Sequence, residues 1–195
     1  YDTLEIVSDA VKEMSEGELL QIEKARKLDI DESIYYEIIR KKTASLLASC
    51  FAVGAAATSC SKDEVKQMWK IGEYLGMAFQ IKDDIFDFEK TNIIGKPTGI
   101  DIKEKKMTLP LIYLINNSSP SAKRSIIRNI KNHSKNKKYT DKIIEEVRNC
   151  GGLEYASEKM REYTDMSLEL LMKFPENESR RALEQLIEFS ISRSD

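Results

Sequence analysis

Histidine, cysteine and proline are all scarce in this chain of 195 residues, and each scarcity excludes something. The one histidine, His133, lies in a basic, polar stretch and reads as a solvated surface residue, not a catalytic one. Three cysteines, Cys50, Cys60 and Cys150, are odd in number and fit no paired metal-ligand spacing. They read as buried thiols. With no signal peptide at the start, a reducing cytoplasmic setting is the simplest expectation. Only 4 Pro and 8 Gly, beside 41% hydrophobic and 33% charged residues, exclude a disordered or β-rich chain. A net charge of −2 leaves no overall electrostatic footprint for nucleic acid. The longest apolar stretch, Ala44 to Ala57, is interrupted by Ser45 and Ser49 and falls short of the roughly 18 residues a membrane span needs. It reads as a buried helix, so stable membrane insertion is not expected.

What is present is helical periodicity. Apolar residues recur at three- and four-residue steps from Thr3 to Lys27, beginning with Leu4, Val7, Val11 and Met14. Tyr1 runs directly into this spacing, with no initiator Met, so an upstream portion of the protein is expected before it. Asp29 to Glu32 reads as a turn that starts the next helix, predicted as one element over Ile34 to Ala57. Ser61-Lys62-Asp63-Glu64 has the pattern of a capping box and opens a helix expected to run through Phe88. A Gly/Pro-rich loop follows over Thr91 to Asp101, then helical spacing through Pro110 to Leu114. Ser118 to Ser121 breaks it, and Lys123 to Lys142 is expected to carry a surface helix and a loop. Gly151-Gly152 starts a last pair of helices, split near Pro175. No alternation calls for strands and no repeat is visible. The expectation is a single all-α domain over residues 1–195.

The main chemical signal is the segment Gly76 to Phe88. On a helix Gln80, Asp83, Asp84 and Asp87 fall at i, i+3, i+4 and i+7, on one stripe. A like-charged i,i+4 pair such as Asp83 and Asp87 costs about 0.2–0.5 kcal/mol even when solvated. Apolar neighbours (Met77, Phe79, Ile81, Ile85, Phe86, Phe88) raise that cost unless a cation sits among the carboxylates. Oxygen ligands without His or Cys suit Mg2+, which is usually held by one or two carboxylates plus substrate phosphate. The alternative is a solvated acidic face near a helix end. Lys96, in the constrained Gly95-Lys96-Pro97-Thr98-Gly99 loop, and then Lys105 and Lys106 supply point charges suited to diphosphate oxygens, or else are ordinary exposed lysines. Lys42 lies where a charged helix face meets the apolar run and reaches either into an interior cavity or out to solvent.

These segments, taken in order, resemble the trans-isoprenyl diphosphate synthases, the family of farnesyl, geranylgeranyl and longer polyprenyl diphosphate synthases. Gly17-Glu18-x-x-Gln21, Lys42-Thr43-Ala44, Gly76-x-x-Phe79-Gln80-x-x-Asp83-Asp84-x-x-Asp87, Gly95-Lys96-x-x-Gly99-x-Asp101 and Lys106-x-Thr108-x-Pro110 carry the likeness, and Gly151-Gly152 with Ala156 fits a later helix start. Lys105 departs from it, standing where the family usually has Gly, and is expected only to add local charge. The resemblance implies an all-α bundle of the isoprenoid synthase type, here cut at the amino end. It implies a Mg2+-dependent prenyltransferase that adds isopentenyl diphosphate to an allylic diphosphate. Asp83, Asp84 and Asp87 would be the metal site, with Asp83 the direct ligand. Lys42, Lys96 and Lys106 would hold the allylic diphosphate. Oxygens of Thr43, Gln80 and the Lys42 carbonyl would face the cationic carbon, and Gln21 would line the same cavity. A homodimer is implied, with the opening helix at its interface.

The family's first aspartate-rich motif belongs upstream, and no second Asp-Asp-x-x-Asp occurs in this sequence. The segment alone is therefore expected to be inactive. Two rivals remain. Terpene cyclases carry an Asn/Asp-Asp-x-x-Ser/Thr-x-x-x-Glu motif, but here Asp87 and Thr91 stand at the last two defined positions. A non-catalytic regulatory subunit of a heteromeric synthase is the alternative from another class, and such subunits tend to lose the aspartates this chain keeps. Tyr35, Tyr36, Trp69 and Tyr74 sit at helical spacing and read as packing. The basic run from Lys123 to Lys138 either is a solvated face or attracts anionic lipid.

Overall fold

The structure, a computed structural model, describes residues 2–28, 31–58, 60–89 and 98–192. Every regular element among them is helical. In chain order these are α1 (Asp2–Lys27), α2 (Glu32–Ile39), a π-helical turn (Arg40–Ala44), α3 (Ser45–Ala56), α4 (Lys62–Phe86), α5 (Ile100–Lys103), α6 (Leu109–Asn116), α7 (Pro120–His133), α8 (Lys137–Asn149), α9 (Gly152–Leu171) and α10 (Glu178–Ser192).

Local chemistry accounts for the helix starts. The Asp31 carboxylate accepts from the Ile34 N–H at 2.9 Å and from the Ser33 hydroxyl at 2.8 Å, which opens α2 and holds Asp31 below the usual carboxylate range. The expected capping box opens α4. Glu64 accepts from the Ser61 N–H at 2.7 Å, and the Ser61 hydroxyl accepts from the Glu64 N–H at 3.3 Å.

Three elements differ from expectation. The helix predicted over Ile34 to Ala57 is interrupted by the π turn. There the Ser45 N–H reaches back five residues to the Arg40 carbonyl, and the Ser45 hydroxyl donates to the Lys41 carbonyl at 2.6 Å. Between Lys123 and Lys142 the expected surface helix (α7) and a short loop at 134–136 are followed by a second helix, α8, that was not expected. Asn136 caps it by accepting from the Lys138 N–H at 3.1 Å, and Thr140, Ile143, Ile144 and Val147 bury its inner face. Finally α4 ends at Phe86, not Phe88, so Asp87 sits in the turn that follows.

The chain falls into two compact units. The first takes in Tyr1–Leu20, Tyr36–Gln80 and Lys159–Ser194. Ile71 and Leu75 of α4, Leu171 of α9 and Ile187 of α10 form its buried centre, with Leu47, Phe51 and Phe174 packed against them. Each such aliphatic side chain contributes about 1.5–3 kcal/mol when fully buried. The second unit takes in Gln21–Tyr35 and Ile81–Glu158. Within it α6 packs on α7 and α8, burying Leu111 and Ile112 with Ile130, Ile143 and Val147. Gly99, at φ 75°, has no room for a side chain, since a Cβ there would lie 2.6 Å from Thr140 Cγ2.

The expectation of three buried thiols fails. Cys50 and Cys60 are exposed and Cys150 is only partly covered, although burial pushes its thiol pKa up. Cys60 lies one residue before the Ser61 cap of α4. No helix among the described residues is long and apolar enough to cross a membrane.

Candidate active site

The acidic stripe divides into three different environments. Asp83 is exposed and makes no hydrogen bond or ion pair with any described residue. Asp84 is buried, and the Tyr35 hydroxyl donates to its Oδ2 at 2.7 Å. Asp87 lies just past the end of α4, where its carboxylate receives the Ile100 N–H at 2.8 Å and the Asp101 N–H at 3.2 Å. It thereby caps α5, while its own carbonyl accepts from the Gly99 N–H at 2.9 Å. Burial, and then the nearby charge of Asp101, push the Asp87 carboxyl above the ordinary range against the pull of those two N–H bonds.

The turn that carries Asp87 is held from below. Phe88 is fully buried, and Arg148 of α8 donates from Nε to the Phe88 carbonyl at 2.6 Å. Lys82, between Gln80 and Asp83, is buried with its ammonium 5.1 Å from the centre of the Phe86 ring. Lys106 pairs with Glu104 at 2.7 Å and Asp101 at 3.1 Å. Burial opposes its charge, but these two carboxylates outweigh burial and its pKa is raised.

In the first unit the Thr43 hydroxyl donates to Gln80 Oε1 at 2.7 Å, joining the π turn to α4. Lys42, next to Thr43 in the π turn, pairs with Glu18 at 2.6 Å. Two glycines make this approach possible. A Cβ on Gly17 would lie 2.7 Å from the Lys42 nitrogen, and one on Gly76 would lie 2.5 Å from the Ala44 Cα. Gln21, four residues on from Gly17, is half-buried on α1 in the second unit. Lys96, Thr91, Gly95 and Pro97 lie outside the described residues.

The structure thus pairs Thr43 with Gln80, leaves Asp83 open, and gives Asp84, Asp87 and Lys106 protein partners. Among the described residues no three His, Cys, Asp or Glu side chains are gathered so as to hold a metal ion by themselves. Three contributors escape a reading of the sequence. Tyr35 reads as packing, yet it is a hydroxyl donor to Asp84. Glu18 and Arg148 carry no spacing signal that ties them to Lys42 or Phe88. Lys105 does more than add charge. It takes φ 60°, in the left-handed region that explains a preference for Gly there, and its Nζ donates to the Lys131 carbonyl at 2.8 Å.

Known proteins resemble this chain in sequence and in fold. The chain is 31% identical over 191 residues to octaprenyl diphosphate synthase of Escherichia coli K12, covering 97% of this chain and 59% of that protein. It is 32% identical over 193 residues to the short chain isoprenyl diphosphate synthase of Methanothermobacter thermautotrophicus, covering 98% and 59%. Among solved structures, a polyprenyl synthase of Caulobacter crescentus complexed with calcium and isoprenyl diphosphate superposes with a TM-score of 0.92 at 32% identity, covering 100% of this chain and 60% of that one. The chain therefore spans about three fifths of the length of these relatives. Residues 1–147 match the model of the polyprenyl synthetase family, and the chain belongs to that family.

Proposed function

We propose that this chain carries the allylic-diphosphate side of a Mg2+-dependent trans-prenyltransferase, which joins isopentenyl diphosphate to an allylic diphosphate and lengthens an all-trans polyprenyl diphosphate. The observation that carries this reading is Asp83. Asp84 on the same helix and Asp87 just past its end are engaged by protein groups, whereas Asp83 is exposed and has no partner among the described residues.

The donor set suits a hard cation. Asp83 offers an exposed carboxylate, and Asp84 lies one position on along the same helix with one oxygen bonded to Tyr35. That is fewer protein ligands than an all-protein cage requires, and it matches an ion that takes its remaining oxygens from water and a bound diphosphate. The Caulobacter relative, complexed with calcium and isoprenyl diphosphate, supports the pairing of a divalent cation with this kind of ligand. When bound, Mg2+ neutralises the diphosphate and favours its departure from the allylic carbon.

The chain's own groups do the rest. Lys42 and Lys96 supply cations to the diphosphate oxygens, and Lys106 adds a third charge whose proton is firmly retained. Because Thr43 spends its hydroxyl proton on Gln80, the lone pairs left on its oxygen can face a developing carbocation without offering it a proton donor. Gln80 has its amide oriented by the same bond. The Lys42 carbonyl adds a further dipole, and Gln21 lines the hydrocarbon path. Asp87 acts at one remove in this reading, holding the start of α5 through the Ile100 and Asp101 N–H groups.

The whole enzyme uses two aspartate-rich motifs, and this segment supplies one, so the segment by itself does not elongate a substrate. A second copy of the chain pairs through α1, where Leu4 is 70% and Val11 57% exposed along the apolar stripe. The test is calorimetric titration of inorganic pyrophosphate with Mg2+, using the complete protein and its Asp83→Asn variant. The substitution is expected to weaken Mg2+-dependent binding at least tenfold with an unchanged melting temperature. Unchanged binding and unchanged elongation sink the assignment.

A further inference from the structure

Between Glu104 and Asp141 the chain has no acidic residue and nine basic ones. The remainder holds 22 basic against 33 acidic residues, a net of −11, so the charge is sharply segregated along a chain whose total is only −2. Seven of the nine lie between Lys123 and Lys138, and all seven are exposed. None places its side-chain cation in a hydrogen bond or ion pair with a described residue. Elsewhere cations are commonly paired, as Arg40, Lys41, Lys42, Lys106, Lys159 and Arg180 are.

Fold stability does not account for this placement. Lys137 and Lys138 occupy the first turn of α8, and Lys123 and Arg124 lie close to the start of α7. A helix dipole favours acids at those ends, and neither first turn has one. Only Lys131 and His133, in the last turn of α7, sit where a cation is favoured. Inner faces are already committed, since Ile126 and Ile130 of α7 and Ile143 and Ile144 of α8 are buried. The helices therefore cannot roll to insert an apolar face into lipid. What they offer is an outward cationic surface, adjoined by a cavity of about 580 Å3 whose lining includes Lys103, Lys105, Lys131, His133 and Lys135 together with one carboxylate, Glu104, which is paired with Lys106.

We propose that this face docks the protein peripherally on an anionic phospholipid surface, with the cavity receiving a phosphorylated headgroup. Charge complementarity selects the partner. Polybasic clusters on a rigid, non-inserting surface are drawn to anionic bilayers. Five of the seven cations are lysines, which present compact, strongly hydrated charges, not the stacking planes that single-stranded nucleic acid uses. The nearby aromatic ring, Tyr139, is half-buried and stacked on His133 at 4.8 Å, so it offers no free platform for a base. The inference rests on the distribution of charge and stands apart from the reading of α4.

Co-sedimentation of the whole protein with vesicles tests it. Vesicles of phosphatidylcholine with about 30 mol% phosphatidylserine are compared with phosphatidylcholine alone, at low and high salt. Binding to the anionic vesicles is expected to exceed binding to neutral ones at least tenfold and to vanish in high salt. Each lysine near the surface is worth roughly a fivefold change in partition, so Lys135→Gln/Lys137→Gln/Lys138→Gln is expected to weaken binding about a hundredfold. All three residues are exposed, and an unchanged circular dichroism melt shows that the variant is folded. Equal binding to neutral vesicles, or a triple variant that binds as the parent does, overturns the proposal. So does tighter binding to a single-stranded RNA oligomer than to the anionic vesicles.

Discussion

Two glycines in the first unit should respond to the same substitution with opposite sign. Gly76 packs α4 against the π turn so closely that an added Cβ would lie 2.5 Å from Ala44 Cα and 2.9 Å from Ala44 Cβ. Carbon atoms in contact ordinarily stand about 3.5–4.0 Å apart, so the two backbones must separate by roughly 1 Å. Neither side is a flexible side chain. The overpacking penalty of about 1–3 kcal/mol should therefore fall at its upper end. Replacing a helical glycine with alanine recovers about 0.5–1 kcal/mol, which leaves Gly76→Ala destabilised by about 2 kcal/mol. Gly54, inside α3, has nothing within 4 Å of its would-be Cβ. Gly54→Ala should keep the whole propensity gain and be more stable by about 0.5–1 kcal/mol. The two variants should thus differ by about 3 kcal/mol, or roughly 6–12 °C in melting temperature for a chain of this size. Urea melts give the measurement, read as a shift of midpoint at constant slope. If Gly76→Ala is as stable as Gly54→Ala, the tight contact at the π turn is not what holds it.

Other predictions concern single bonds. Tyr35→Phe preserves the ring and removes the donor to Asp84, and should lower stability by about 1.5–3 kcal/mol in the same urea melts. A loss well below that range would mean that Asp84 does not depend on this hydroxyl. Lys105→Gly relieves a left-handed backbone that costs a residue with a Cβ about 1–2 kcal/mol, whereas Lys105→Ala keeps the strain and loses the bond to Lys131. The glycine variant should therefore melt above the alanine variant. The Glu64 carboxylate titrates below its usual range because the Ser61 hydroxyl, then the Ser61 N–H, bond its charged form. Its contribution is present above the unfolded carboxylate pKa and is lost as pH falls through the lowered folded value. Glu64→Gln should flatten that part of the stability–pH curve, as followed by melts across acid pH.

Spacing made parts of this molecule legible. The Ser61–Glu64 cap, the α1 stripe and the break near Pro175 follow from local rules that involve residues within one turn of each other. Gln80, Asp83 and Asp84 lie on α4 as their spacing predicts. The reading falters where the partner is distant in sequence. Asp87 was expected to continue the stripe, but the helix stops one residue earlier, and the N–H groups of α5, more than ten residues on, take its carboxylate. Tyr35 looks like any packing aromatic until a carboxylate 49 residues away is placed against its hydroxyl. The π turn left no periodic trace, because one widened turn shifts the apolar phase by a single residue inside a run that is apolar on most sides. The second helix of the basic region was readable from Asn136 and the apolar residues after it, but the density of lysines masked both.

The π turn also shows why the chain spends charge where it does. Its first three residues are basic, and each finds an acid on α1. Arg40 reaches Glu13 at 3.2 Å, Lys41 reaches Glu16 at 3.2 Å, and Lys42 reaches Glu18 at 2.6 Å. Gly17 sits among these acids with its backbone against Lys41 and Lys42, closer than any side chain would allow. Arg40 further approaches the buried Glu73 of α4 at 3.7 Å. Surface pairs of this kind each contribute little to stability, typically under 1 kcal/mol, so three in succession are a poor explanation of folding energy. They are a good explanation of register. A π turn admits one residue more than the helix on either side, and each of its three cations is met by an acid of α1. In the proposed reaction Lys42 must exchange Glu18 for a diphosphate without the turn slipping back to α-helical spacing. Arg40 and Lys41, whose partners are not substrate, hold it in place while that exchange occurs.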